Sequence, residues 1–218
     1  GRYRVEVEDN GPGLPPKAVP KTFGKFLYGS RFHRLCQARG QQGIGIKGCV
    51  LYAQLTTARP TQIWSKTSEM EYTYFAELKI DVTRNDPIIL REERIPVGKR
   101  GALKDHGIRI GLEVVGKYRR SKGIDEYLLQ TAIANPFVRI EYQAPDGRRE
   151  IIDRATNHLP KLPREIKPHP YGVELGIFLR MLRASRSRTI ENFLVNEFCK
   201  IGATTARKAC KLAKLKSS

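Results

Sequence analysis

Tyr3-Arg4-Val5-Glu6-Val7-Glu8, followed at once by Asp9-Asn10-Gly11-Pro12-Gly13, is the stretch on which the fold turns. Apolar and charged residues alternate up to Glu8, the period-two pattern of a strand with one covered face. Turn-forming residues then stop it. Asp9 stands at the junction, where a carboxylate beside bare glycine backbone accepts a hydrogen bond from an exocyclic amine such as that of adenine. Gly11 and Gly13 tolerate positive φ and let a flat base approach the main chain. Taken alone, the pentapeptide is more often only a turn.

A second glycine stretch changes that balance. Gly40-Gln41-Gln42-Gly43-Ile44-Gly45-Ile46-Lys47-Gly48 runs into the apolar, helix-like Cys49-Val50-Leu51-Tyr52-Ala53. A glycine loop entering a helix presents free N–H groups, and the helix dipole adds positive partial charge, so phosphate is favoured there. The N–H groups of Gln42 to Ile46 are the expected donors, and Lys47 adds charge at the helix start. The glycine spacing is weak by itself and differs from the dinucleotide fingerprint. The pair of stretches predicts a nucleotide pocket.

Outward from these, Val19–Tyr28 reads as a helix and 29–42 as a mobile loop. Gly45–Leu55 reads as the helix after that loop. In Glu71–Val82 the apolar residues fall on even positions, and Ile108, Ile110, Leu112 and Val114 repeat the alternation. Pro87–Ile95 is β-rich. Gly123–Ala134 reads as an amphipathic helix stopped by Asn135-Pro136, and a hairpin follows across Pro145-Asp146-Gly147. The expected fold class is α+β: a two-layer sandwich with helices on one face of a mixed or antiparallel sheet. Residues 159–172 hold proline and basic residues without periodicity and read as a linker between a domain over 1–158 and a helical one over 173–218. Three helical stretches are expected there, with Gly202 capping the second and Thr204 the third.

The chain has 218 residues and a formal charge of +18. Residues 159–218 carry thirteen Lys/Arg against four acids, and residues 10–68 carry nine Lys/Arg and no acid. Two separate basic zones attract polyanions. No apolar run is long enough to span a bilayer, and no signal-peptide pattern or initiator Met opens the chain, which reads as a fragment of a cytoplasmic protein. Four cysteines, at 36, 49, 199 and 210, show no metal or disulfide spacing. They read as reduced thiols, Cys49 and Cys199 in cores. Ser30, His33 and Asp9 form no credible triad. Glu92-Glu93 reads as solvated. Trp64, Tyr72 and Tyr74 suit a sheet surface better than a base-stacking platform, which interleaves aromatic and basic residues.

In order and spacing the two glycine stretches resemble those of the gyrase-type ATPases. Phe23-Gly24-Lys25-Phe26-Leu27-Tyr28-Gly29-Ser30, Lys167-Pro168-His169-Pro170-Tyr171-Gly172-Val173, Phe193-Leu194-Val195-Asn196-Glu197-Phe198 and Ile201-Gly202-Ala203-Thr204-Thr205-Ala206 narrow the resemblance to the B subunits of type IIB topoisomerases, the topoisomerase VI family. The resemblance covers nearly the whole chain. It implies the gyrase-type (Bergerat) ATPase fold followed by a small helix–two-turns–helix domain. It implies ATP with Mg2+ as cofactors, held at the positions matching Asp9, Asn10, Gly11, Gly13, Ser30, Arg31, Gly40, Gln41, Gln42, Gly43, Ile44, Gly45, Ile46 and Lys47. Arg31 stands where Lys is common, and Gly107-Ile108 where the family has Gly-Thr. The family's general-base Glu and magnesium-binding Asn precede the Asp9 strand and its transducer lysine follows residue 218, so the resemblance assigns no catalytic residue to this chain.

The implied partners are the A subunit, double-stranded DNA and a second B subunit. ATP-driven dimerisation within a heterotetramer of two A and two B subunits would gate passage of one duplex through another. The setting would be the nucleoid, or the nucleus in a eukaryote, with no membrane. Arg207, Lys208 and Lys211 on the last helix are the expected DNA contacts. A MutL-like repair ATPase and a non-catalytic DNA-binding adaptor of the same fold are the rival readings.

Overall fold

The computed structural model describes residues 1–29, 40, 42–120, 123–164 and 166–215. They form two compact units, the first reaching Lys161 and the second beginning at Leu162.

The first unit is built on a five-stranded sheet in the order β1-β5-β2-β3-β4, from β1 (Arg2–Asp9), β2 (Thr61–Lys66), β3 (Tyr72–Asp81), β4 (Asp86–Pro96) and β5 (Gly107–Val115). Every neighbouring pair is antiparallel. The expected α+β class holds, and the sheet is antiparallel rather than mixed. Two helices, α1 (Val19–Gly24) and α2 (Gly45–Thr57), cover one face with Val19, Phe23, Val50 and Ala53. Ile63, Ala76, Leu78, Ile80, Ile110 and Leu112 meet them from the sheet, so the alternation in β3 and β5 is the imprint of this core.

Residues opposite one another in an antiparallel sheet share a face. Glu8, Arg109, Trp64, Phe75 and Glu93 therefore form one row across all five strands, on the face away from the helices. Trp64 and Phe75 lie 5.0 Å apart, with the guanidinium of Arg109 over the first ring and that of Arg91 over the second. Basic and aromatic groups do interleave here, contrary to expectation. Each arginine is also ion-paired, Arg109 with Glu8 at 2.6 Å and Arg91 with Glu93 at 2.5 Å. The row is thus charge-balanced.

Several elements differ from the sequence reading. Helix α1 stops at Gly24, because the chain beyond it is tied to the β3–β4 turn: Asn85 accepts from the Phe26 N–H at 2.8 Å, and Lys25 pairs with Asp86 at 2.7 Å. Strand β2 was not foreseen. Its helix-side positions are Thr61, Ile63 and Ser65, so two of the three buried residues are polar and the hydrophobic alternation is lost. Cys49 is exposed and Cys199 only half-buried, whereas Cys210 is buried.

Helix α3 (Ile124–Ala134) is followed by the hairpin β6 (Ile140–Gln143) and β7 (Arg149–Ile152). Arg148 ties helix to hairpin by pairing with Asp125 at 2.8 Å and with Asp146 at 2.9 Å. Its guanidinium holds both carboxyls below the usual range. The apolar residues Leu129 and Ile133 of α3 stay exposed.

The second unit holds α4 (Leu175–Ala184), α5 (Ile190–Glu197) and α6 (Ala203–Leu212). Phe178, Phe193 and Phe198 form its aromatic core, with ring centroids 5.4–6.0 Å apart. Thr189 caps α5 by accepting from the Asn192 N–H. The expected caps shift by one element: Gly202 precedes α6 as its N-cap, Thr204 lies inside that helix, and Lys200 takes the left-handed conformation between α5 and α6. Within the expected linker Pro170–Gly172 is a short 3-10 turn, and Pro168 accepts from the Cys199 N–H at 3.0 Å. No described helix is long and apolar enough to cross a membrane.

Candidate nucleotide-binding site

Asp9 ends β1 directly opposite Ile108 of β5. Its row continues through Ser65 and Tyr74 on the helix side of the sheet. The Asp9 carboxylate accepts from the Gly11 N–H at 2.8 Å, which closes a tight turn and engages Oδ1. Asp9 is exposed. Asn10 is exposed as well and leads into the glycines. Gly13 alone of the pair adopts positive φ, and a Cβ there would lie 2.0 Å from the Lys66 carbonyl oxygen. Gly11 keeps an ordinary φ, and a Cβ there would come within 2.8 Å of the Asp9 carboxylate. The buried Ser65 hydroxyl then fixes the exit of the turn, accepting from the Leu14 N–H and donating to the Leu14 carbonyl.

Two residues far along the sequence complete this cluster. Gly107 has a φ of +147° and stands so close that a Cβ would meet the Asp9 carbonyl oxygen at 1.9 Å. The His106 ring places Nδ1 2.7 Å from the Gly11 carbonyl oxygen. The resemblance names Gly107-Ile108, but nothing in the sequence points to His106, because only the β1–β5 pairing brings these residues to the turn. Ile108 fills the place between Asp9 and Ser65 where the family's Thr would put a hydroxyl. The nearby Ser65 hydroxyl is already engaged with Leu14.

The second glycine stretch forms a separate cluster. Gly45 and Ile46 open α2, Ile44 is its N-cap, and the first turn has neither a side-chain cap nor an acid. Gly40, Gln42, Gly43, Ile44 and Gly45 line an open concavity of about 370 Å³ at that helix end. Lys47 departs from expectation. It is 2% exposed and turned inward, donating to the Tyr28 carbonyl at 2.8 Å. Gly43, at a φ of +63°, packs so tightly on that carbonyl that a Cβ would lie 2.6 Å from it. Tyr28, Gly43 and Lys47 thus meet at one point. Among the described residues no acid pairs with Lys47, and burial pushes its ammonium below the ordinary lysine range.

Ser30, Arg31 and Gln41 lie outside the described residues, as does most of the expected mobile loop. No hydrogen bond or ion pair joins the two clusters among the described residues. No group of His, Cys, Asp and Glu suited to a metal ion occurs among them either. In the second unit Arg207, Lys208 and Lys211 are all exposed on α6. Arg207 is engaged with Glu191 at 2.9 Å.

No protein-family model matches the chain. Among curated proteins it is 46% identical over 213 residues to the B subunit of type 2 DNA topoisomerase 6 from Methanosarcina barkeri, an alignment covering 97% of this chain and 34% of that protein. It is 47% identical to the protein of the same description from Methanosarcina mazei, with the same coverage. The corresponding protein of Archaeoglobus fulgidus is 43% identical over 206 residues, 94% of this chain and 33% of that protein. The resemblance read from the motifs is thereby shown: the chain matches a partial region of these B subunits. It spans about a third of the length of the relatives it matches.

Proposed function

We propose that this chain is the ATP-binding region of the B subunit of a type IIB DNA topoisomerase. The observation that carries the reading is the start of α2. A helix N-terminus favours an anion, yet this one has no acid in its first turn and instead buries the Lys47 ammonium. Both features are unfavourable alone and favourable beneath a polyphosphate. Asp9, Asn10, Gly11 and Gly13 would serve the adenine side. Gly40 to Lys47, with Ser30, Arg31 and Gln41, would serve the phosphates, with Mg2+ accompanying ATP.

On this reading residues 1–158 are part of a gyrase-type (Bergerat) ATPase domain, 159–172 a linker and 173–218 a helix–two-turns–helix domain. The whole protein would bind an A subunit and double-stranded DNA and dimerise on ATP as two A and two B subunits. It would work on nucleoid or nuclear DNA. Arg207, Lys208 and Lys211 would contact the DNA backbone.

Asp9→Asn tests the pocket. Asparagine keeps the oxygen that accepts from Gly11, so the turn and fold should survive, while the charge facing the base is lost. Titration calorimetry with Mg-ATP should give binding by the wild type and none by the variant. Equal affinities would sink the assignment.

A further inference from the structure

The Asp9 turn is held at its exit by Ser65 and against β5 by Gly107. The remaining hold comes from His106. The Gly11 carbonyl oxygen, 2.7 Å from its Nδ1, has no proton to give. The ring must therefore donate, and the proton of the neutral imidazole sits on Nδ1. An imidazole free in water favours Nε2 instead. His169 supplies the opposite case within the same molecule: its Nδ1 accepts from the Tyr171 N–H at 3.3 Å, which places the proton on Nε2.

His106 is well set for this task. Its backbone N–H donates to the Asp105 carboxylate at 2.9 Å, and the next residue, Gly107, closes on the Asp9 carbonyl. Two consecutive residues thus grip the two ends of the Asp9–Gly11 turn. The Gly11 N–H is what engages Asp9 Oδ1. If Gly11 swings, that bond breaks and the carboxylate is free to rotate.

We propose that His106 is a positioning residue of the nucleotide site: its Nδ1–H, donated to the Gly11 carbonyl, holds the turn so that Asp9 keeps Oδ1 on the Gly11 N–H and presents Oδ2 to the amine of the base. The proposal rests on the reading of this turn as the adenine side of the site. It adds a histidine 95 residues downstream of the turn it holds.

Nitrogen-15 spectra of the 218-residue chain in mildly alkaline solution should show His106 protonated on Nδ1 and His169 on Nε2. His106→Phe keeps the ring and removes the donor. His106→Asn restores an N–H at nearly the same place. Without ligand, exchange of the Gly11 amide should quicken about tenfold in the Phe variant, and Mg-ATP affinity should fall about tenfold, the effect of one neutral hydrogen bond. The Asn variant should stay within about threefold of wild type in both. An Nε2–H ring at His106, or Phe and Asn variants that behave alike, overturns the proposal. Altered exchange in a protein whose wild type binds no ATP overturns the nucleotide reading and leaves His106 as holder of the turn. Normal exchange with intact ATP binding in the Phe variant removes His106 alone.

Discussion

Lys47→Met separates two things the Lys47 ammonium does. In the ligand-free chain it donates one charge-assisted hydrogen bond to the Tyr28 carbonyl, worth about 1.5–3 kcal/mol. Against that stands the cost of desolvating the ammonium, which among the described residues no acid compensates. Methionine keeps the stem in the space beside Val50 and Ala53 and removes both terms. The ligand-free variant should be at least as stable as wild type. Its effect on ATP should be the reverse. A phosphate charge about 7 Å away, little more than one turn of helix, gains about 2.4 kcal/mol from the ammonium at an effective dielectric of about 20. The variant should therefore bind Mg-ATP about fiftyfold more weakly.

The pH dependence follows with its sign. Burial lowers the folded pKa of Lys47 below its ordinary 10.5. Between that lowered value and 10.5 the unfolded chain binds the extra proton, so stability rises with pH across this alkaline window. ATP favours the protonated form, so affinity falls across the same window. Lys47→Met should flatten both trends. Denaturant unfolding and titration calorimetry from neutral to alkaline pH measure them. A variant that binds ATP like wild type, or one that loses more than about 2 kcal/mol of ligand-free stability, would refute the reasoning and leave Lys47 a plain strut.

Gly107→Ala forces a Cβ to within 1.9 Å of the Asp9 carbonyl oxygen at a φ of +147°. It should cost at least about 3 kcal/mol, which calorimetry would read as a Tm lower by about 6–12 °C; an unchanged Tm would deny the close approach. Phe193→Ala empties the centre of the aromatic trio, where Phe193 is 1% exposed. A cost of about 3–5 kcal/mol should melt the second unit, seen as lost amide protection in α4 to α6. Arg207→Ala, Lys208→Ala and Lys211→Ala combined should weaken duplex binding equally across sequences and reduce the salt slope by about one for each phosphate no longer neutralised. Within that set the two lysines should matter more than Arg207, whose guanidinium is engaged with Glu191; triple-variant binding equal to wild type at low salt would make this a solvated face.

What the sequence disclosed, and what it hid, follows one physical division. β3 and β5 are legible because one face of each meets the helices, so burial writes itself as period two; β1 carries the same alternation although its Val5 and Val7 stay exposed. β2 was hidden because Thr61 and Ser65 occupy its core positions; Ser65 is buried where it bonds Leu14, and the Thr61 hydroxyl is buried without a partner among the described residues, neither of which hydrophobicity can register. Lys47 did leave a signal. Lys47, Val50 and Ala53 recur every third residue and are the three buried positions of α2, so the lysine stands where an apolar residue belongs. His106 left none near Asp9, because sheet topology alone brings it to the turn.

The same division locates the useful charge. On the sheet face away from the helices, arginines alternate with glutamates in register, and each stacked guanidinium has its own carboxylate. Such exposed pairs contribute about 0–1 kcal/mol each and leave little field outside the protein. The unbalanced charge of the +18 chain is concentrated instead in residues 10–68 and 159–218. The first span contains a buried cation at an uncapped helix start, and the second presents exposed cations on α6. A sequence that balances charge strand by strand in one place and leaves it uncompensated in two others has set those two apart. Departures from local rules gather at sites that bind. A compact polyphosphate suits the buried Lys47, and an extended polyanion suits the exposed face of α6.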